Sequence, residues 1–167
     1  MAVRNLAWYI SLAISFFGCL AIEFFFTGKP TQSINHANTA VVPIVLLIPF
    51  LLLSLFITWT VGRKYFAIRP LRRPGILLIA IIIILVIGIT GEYQTIQETI
   101  NGFEKKGKTI MSVLKHQSYF NYFTVNWYFN ENSFLLVHLI SFCLGFVGRK
   151  NEWQLEIEEK EYKAKNE

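Results

Sequence analysis

Apolar and polar positions alternate in blocks along this chain rather than residue by residue. Four apolar runs emerge, at about 6–27, 39–61, 76–93 and 133–147, separated by polar stretches. A helix needs about 20 residues to cross roughly 30 Å of hydrocarbon, and the first two runs reach that length unaided. The third and fourth reach it by extending through Glu92-Tyr93 and back through Trp127-Tyr128-Phe129. The pattern predicts an all-α, polytopic membrane protein built as a four-transmembrane-helix bundle over residues 1–150. A charged helical tail follows at 151–167, with Glu156–Lys160, Glu159–Lys163 and Glu161–Lys165 in the favourable i,i+4 order. Pro43 and Pro49 lie inside the second run, where each removes a backbone donor and is expected to bend the helix.

Between the second and third runs lies Gly62–Gly75. It carries Arg63, Lys64, Arg69, Arg72 and Arg73 and no acidic residue. Lys and Arg beside a span resist translocation, so this loop belongs in the cytoplasm and orients every other segment. Both termini are then cytoplasmic, and 94–132 forms a long outer loop. Its Lys105, Lys106 and Lys108, with Lys115, are balanced by Glu92, Glu98, Glu104 and Glu131. The first run ends in Phe24-Phe25-Phe26 rather than small residues, which reads as a retained span and not a cleaved signal peptide.

Composition sharpens this reading. The chain is 53% hydrophobic, 16% aromatic and 16% charged, against about 25% charged in ordinary globular domains. The net charge of +5 sits beside apolar runs, as membrane-proximal cations do, so the lipid bilayer and not nucleic acid is the expected partner. Cys19 and Cys143 fall inside apolar runs without C-x-x-C spacing and read as small buried residues.

Within the outer loop, Ile96, Ile100 and Phe103 recur at helical spacing, the pattern of an amphipathic helix continuous with the third span, which Lys105-Lys106-Gly107-Lys108 breaks. Seven aromatics follow within residues 119–129: Tyr119, Phe120, Tyr122, Phe123, Trp127, Tyr128 and Phe129. Two readings fit them, an interfacial belt at the headgroup level and a docking segment for an outside partner.

Two ionisable residues lie within spans. Glu23 continues a stripe of Ser11, Ser15 and Cys19; His138 begins one of Ser141, Gly145 and Gly148. Small and polar residues mark close helix contacts. At matching depth, the two stripes are expected to face each other and pair Glu23 with His138, since an unpaired intramembrane charge costs about 2.5–3.5 kcal/mol. Ser54, Thr58 and Thr60 are expected to bond their own helix.

Catalytic signatures are missing. The chain has no aspartate, no G-x-S-x-G elbow, no phosphate loop and no cluster with metal spacing. This argues against an enzyme and for no catalytic residue, cofactor or metal. Four spans with both ends inside are also the plan of immunity proteins against pore-forming bacteriocins, an analogy of architecture that rests on no shared motif. The expectation is a small non-enzymatic plasma-membrane protein of bacterial type that acts by contact with another membrane protein, as an accessory subunit or an immunity- or exclusion-type factor. The alternative is an oligomeric carrier or channel subunit using Glu23 and His138.

Overall fold

Helices, once formed in an apolar chain, must satisfy their backbone internally, and this chain does so in four long segments. The computed structural model describes residues 2–28, 40–68, 74–107, 109–112, 120–147 and scattered positions between 157 and 164. It contains α1 at Ala2–Ala21, α2 at Val41–Ile68, α3 at Pro74–Glu104 and α4 at Glu131–Val147. A π-helical turn, Ile22–Phe26, continues α1, and a 3-10 turn, Val125–Trp127, precedes α4. The described residues are all helix and connecting turns, with no strand. Four stretches are long and apolar enough to cross a membrane: Leu6–Phe26, Val41–Ala67, Ile76–Glu104 and Val125–Val147.

Several boundaries differ from the sequence expectation. α2 runs on through Gly62 to Ile68, so Arg63 and Lys64 sit on its last turns rather than in a loop, and Arg63 stacks 4.7 Å over the Trp59 ring. Arg69, Arg72 and Arg73 lie outside the described residues, as do Tyr119 and most of the tail. Pro43 falls in the first turn of α2, where a helix has no partner for its N–H anyway, leaving Pro49 as the internal proline. α3 continues through the amphipathic stretch without a break. At 31 residues it is about 46 Å long, well beyond a hydrocarbon layer of about 30 Å. It ends at Glu104, with Gly107 at φ +68° supplying the left-handed residue that closes it.

α2 is the axis of the bundle. Leu47, Ser54, Ile57, Thr58 and Gly62 are buried along it, and both α1 and α4 pack on it. Close approach depends on glycine. A methyl on Gly145 would sit 2.5 Å from the Arg63 nitrogen, and one on Gly62 would meet the Phe142 carbonyl, so the α2 and α4 backbones touch. Gly18 similarly admits Leu47 between α1 and α2. Tyr65, Phe66, Phe142 and Phe146 close the same end with ring centroids 5.3–5.6 Å apart.

α3 is attached differently. It lies against α4 through Gly88 and Gly91, which receive Leu136 and Asn132, and only 6% of its span is buried. Ile76, Ile79, Ile83, Val86 and Ile87 are all exposed. Farther toward the basic end, an apolar fissure of about 270 Å³ opens among Leu85, Leu139, Ile140, Cys143 and Leu144.

Because the atoms facing Gly145 are backbone and cannot turn aside, Gly145→Ala should force α2 and α4 apart and destabilise the bundle by about 1–3 kcal/mol. Leu144→Ala, removing a side chain 54% exposed, should change stability far less. Equilibrium unfolding of the two variants in detergent micelles makes the comparison; equal losses would contradict the backbone contact.

Candidate functional site

Polar side chains gather in two places, one in mid-bundle and one at the end carrying residues 120–130. The first is built on Ser54. Its Oγ donates toward the Leu51 carbonyl at 2.9 Å, lies 2.8 Å from His138 Nε2 and 3.3 Å from Ser15 Oγ. His138 Nδ1 donates to the Phe134 carbonyl at 2.8 Å. Ser15 and Ser54 are 0% exposed and His138 is 8% exposed. On the same side of α1, Ser11 donates to the Trp8 carbonyl, and Trp8 Nε1 donates to Thr58 Oγ1 at 3.0 Å. Ser141 donates to the Leu55 carbonyl at 2.7 Å. One file of hydroxyls therefore ties α1 and α4 to α2, where each unbonded polar group would be expensive.

This arrangement corrects three expectations. Glu23 and His138 are not partners: both ring nitrogens of His138 are committed to Ser54 and Phe134. The stripe on α1 does turn inward at Ser11, Ser15 and Cys19, but the π turn breaks its four-residue repeat, and Ile22 follows Cys19 into the core. His138 is level with Ser15, eight residues and about 12 Å from Glu23 along α1. The α1 and α4 stripes also meet α2 rather than each other. Finally, Ser54 and Thr58 do more than bond their own helix, although Thr60 does bond the Ile57 carbonyl.

Ser54 and His138 have the separation of a nucleophile and its base. Nothing else of that chemistry is present around them. The ring's second nitrogen is spent on its own helix, and Ser54 is 0% exposed, so a substrate has no approach to its Oγ.

The second group is acidic. The π turn presents Glu23 toward Glu131 at the start of α4, with Glu92 and Glu98 of α3 near enough to act on its charge. Asn130 organises the surroundings and is fully buried. It caps α4 reciprocally with Ser133, through Ser133 N to Asn130 Oδ1 at 2.7 Å and Asn130 N to Ser133 Oγ at 3.1 Å. Its Nδ2 donates to Glu92 Oε2 at 2.9 Å and to the Asn126 carbonyl at 2.5 Å. Glu23 Oε2 and Glu92 Oε1 are buried and bonded to nothing. Among the described residues no three His, Cys, Asp or Glu side chains are set to hold a metal ion. Glu92, Asn130, Glu131, Ser15 and Ser54 escaped the sequence reading as a site. The Asn130-x-x-Ser133 box ahead of an apolar run was a visible signal for one of them.

The aromatic segment is folded in. Asn121 and Thr124 cap each other's backbone. Val125 is 0% exposed and joins Cys19, Ile22, Ala40, Ile44 and Leu47. Phe123, 2% exposed, packs edge-on against Phe103 at 5.3 Å, so the amphipathic end of α3 covers it. Tyr122, Trp127 and Phe129 are half-buried; Phe120 and Tyr128, 5.7 Å apart, are exposed. The segment is thus neither a plain belt nor an open docking strip: it is a cap with one aromatic edge outward.

Comparison with protein-family models, curated proteins and solved structures gives no match.

If Ser54 and His138 are bonded, combining Ser54→Ala with His138→Ala should cost less than the sum of the single changes, by about 0.6 kcal/mol or more. Glu23→Gln combined with His138→Ala should instead be additive within about 0.5 kcal/mol. Thermodynamic cycles from unfolding in bilayers or micelles read both; coupling in the second pair and not the first would reverse the assignment.

Proposed function

We propose that this is a small, non-enzymatic, multi-pass protein of a bacterial plasma membrane that works by lateral contact with another membrane protein. It would serve as an accessory subunit or as a protective factor of the immunity or exclusion kind. Its basic residues support a cytoplasmic Arg63–Lys64 end and cytoplasmic termini, with the aromatic cap then outside.

The observation that carries this reading is the one-sided attachment of α3, whose span is 6% buried. A helix lining a pathway presents polar groups along its depth. From Ile76 to Ile89 α3 has none. Trp8, Ser15, Ser54, Thr58, His138 and Ser141 of the other three helices are bonded between helices inside the bundle. What α3 offers is a long apolar face for lipid and for a neighbouring helix, continuous in sequence with the amphipathic turns that cover Phe123.

The carrier reading keeps one observation in its favour, the buried unbonded oxygens of Glu23 and Glu92. Photo-crosslinking residues at Ile83 and Val86, in cells, separate the two. The contact reading expects both positions to yield one discrete adduct with a different protein. Phe120→Ala with Tyr128→Ala should reduce that adduct by about tenfold or more while the protein keeps its abundance. Phe123→Ala, by contrast, should lower abundance, since emptying a buried aromatic site costs about 3–5 kcal/mol. Lipid adducts alone, together with proton or ion flux in proteoliposomes that Glu23→Gln abolishes, would replace the contact reading with the carrier.

A further inference from the structure

Ser54 has more acceptors than it can serve. A hydroxyl holds one hydrogen and two lone pairs, yet Leu51 O, His138 Nε2 and Ser15 Oγ all lie within 3.3 Å of its Oγ. Two of the roles around it are fixed. Carbonyl oxygens only accept, so Leu51 O takes a hydrogen from Ser54 or goes without it. By the same reasoning His138 Nδ1 carries its hydrogen toward Phe134 O in every state.

The state of Nε2 then decides the rest. In neutral imidazole Nε2 accepts, so Ser54 turns its hydrogen to the ring and receives one from Ser15. In imidazolium Nε2 donates to one lone pair of Ser54, Ser15 fills the other, and the Ser54 hydrogen swings to Leu51 O. Every donor is satisfied in both states, and the two differ by rotation about a single Cβ–Oγ bond.

We propose that His138 is a reversible proton-binding site inside the bundle, and that its occupancy reverses the direction of the hydrogen bond joining α2 to α4. The ring meets Ser54 from α2, which in turn meets Ser15 of α1, and the carbonyl and ring of Phe134 from its own helix, the rings 4.0 Å apart. α3 approaches α4 through Leu136 and Asn132, away from the ring. Both ring nitrogens face oxygens, of Ser54 and Phe134, so the bonds available to hold an added proton are to oxygen dipoles. This site is separate from the contact face of α3 and does not depend on it.

The test is nitrogen NMR of the full chain in phospholipid bilayers, with histidine rings isotopically labelled and the His138 signals identified by their loss in His138→Gln. In alkaline buffer the ring should carry hydrogen on Nδ1 only. On acidification both nitrogens should become protonated, reversibly, with changes at Ser15, Leu51, Ser54 and Phe134 that follow the ring. Ser54→Ala should cut the doubly protonated fraction at the acid end about tenfold, through loss of a hydrogen bond to a charged group, whereas Ser54→Thr should preserve it. Hydrogen on Nε2 in alkaline buffer, or a ring that stays neutral until the bundle unfolds, would overturn the proposal. So would a titration that Ser54→Ala leaves unchanged. If Ser54→Ala does not fold, the wild-type tautomer and the Ser54→Thr titration decide the matter.

Discussion

The contact between α2 and α4 is the constraint on which the rest of this structure depends. In hydrocarbon, apolar side chains gain nothing by leaving lipid for one another, so helices stay together through close backbone approach and polar bonds. Both are concentrated on α2. Gly62 and Gly145 bring two backbones into contact at one end, and Ser54 joins His138 and Ser15 about two turns on. Without those two features α1 would have little to pack on, and α4 would lose the partner that orients His138 and Ser141.

The opposite end is held by a different logic. There the segment 120–130 closes over the helices, with Val125 and Phe123 buried as plugs and Asn130 bonding α3, α4 and the turn between them. Four glutamates act on one another's charge in this region, and like charges in one place disfavour one another. The cap and the Ser54 hub are thus two separate polar arrangements in one small bundle, joined through α1, α2 and α4.

Much of the architecture was legible in the sequence, because four apolar runs of spanning length leave few alternatives. Stripes of Ser11, Ser15 and Cys19 and of His138, Ser141 and Gly145 were also readable as inward faces. Which face met which was not. Spacing along one helix says nothing about a third helix standing between two others, and α2, apolar on all sides except at Ser54, Thr58 and Thr60, looked like a helix without a preferred face. The depth of Glu23 relative to His138 failed for a local reason: α4 starts at Asn130 with a capping box, and the π turn shifts the end of α1. The buried aromatics of 119–129 were read as interfacial because composition marks where such residues partition, not what covers them. The extended end of α3, whose Ile96, Ile100 and Phe103 face was visible, is what does so.

The central claim is that the polar faces of α1 and α4 meet on α2, with Ser54 as their common partner. Disulfide trapping tests it most directly, after Cys19 and Cys143 are replaced by Ala. Ser15→Cys paired with Ser54→Cys should cross-link rapidly under mild oxidation, since their side-chain oxygens lie 3.3 Å apart. Glu23→Cys paired with His138→Cys should not. Cross-linking of the second pair and not the first would mean that α1 and α4 face each other directly, and the account of the bundle given by the Ser54 hub would be wrong.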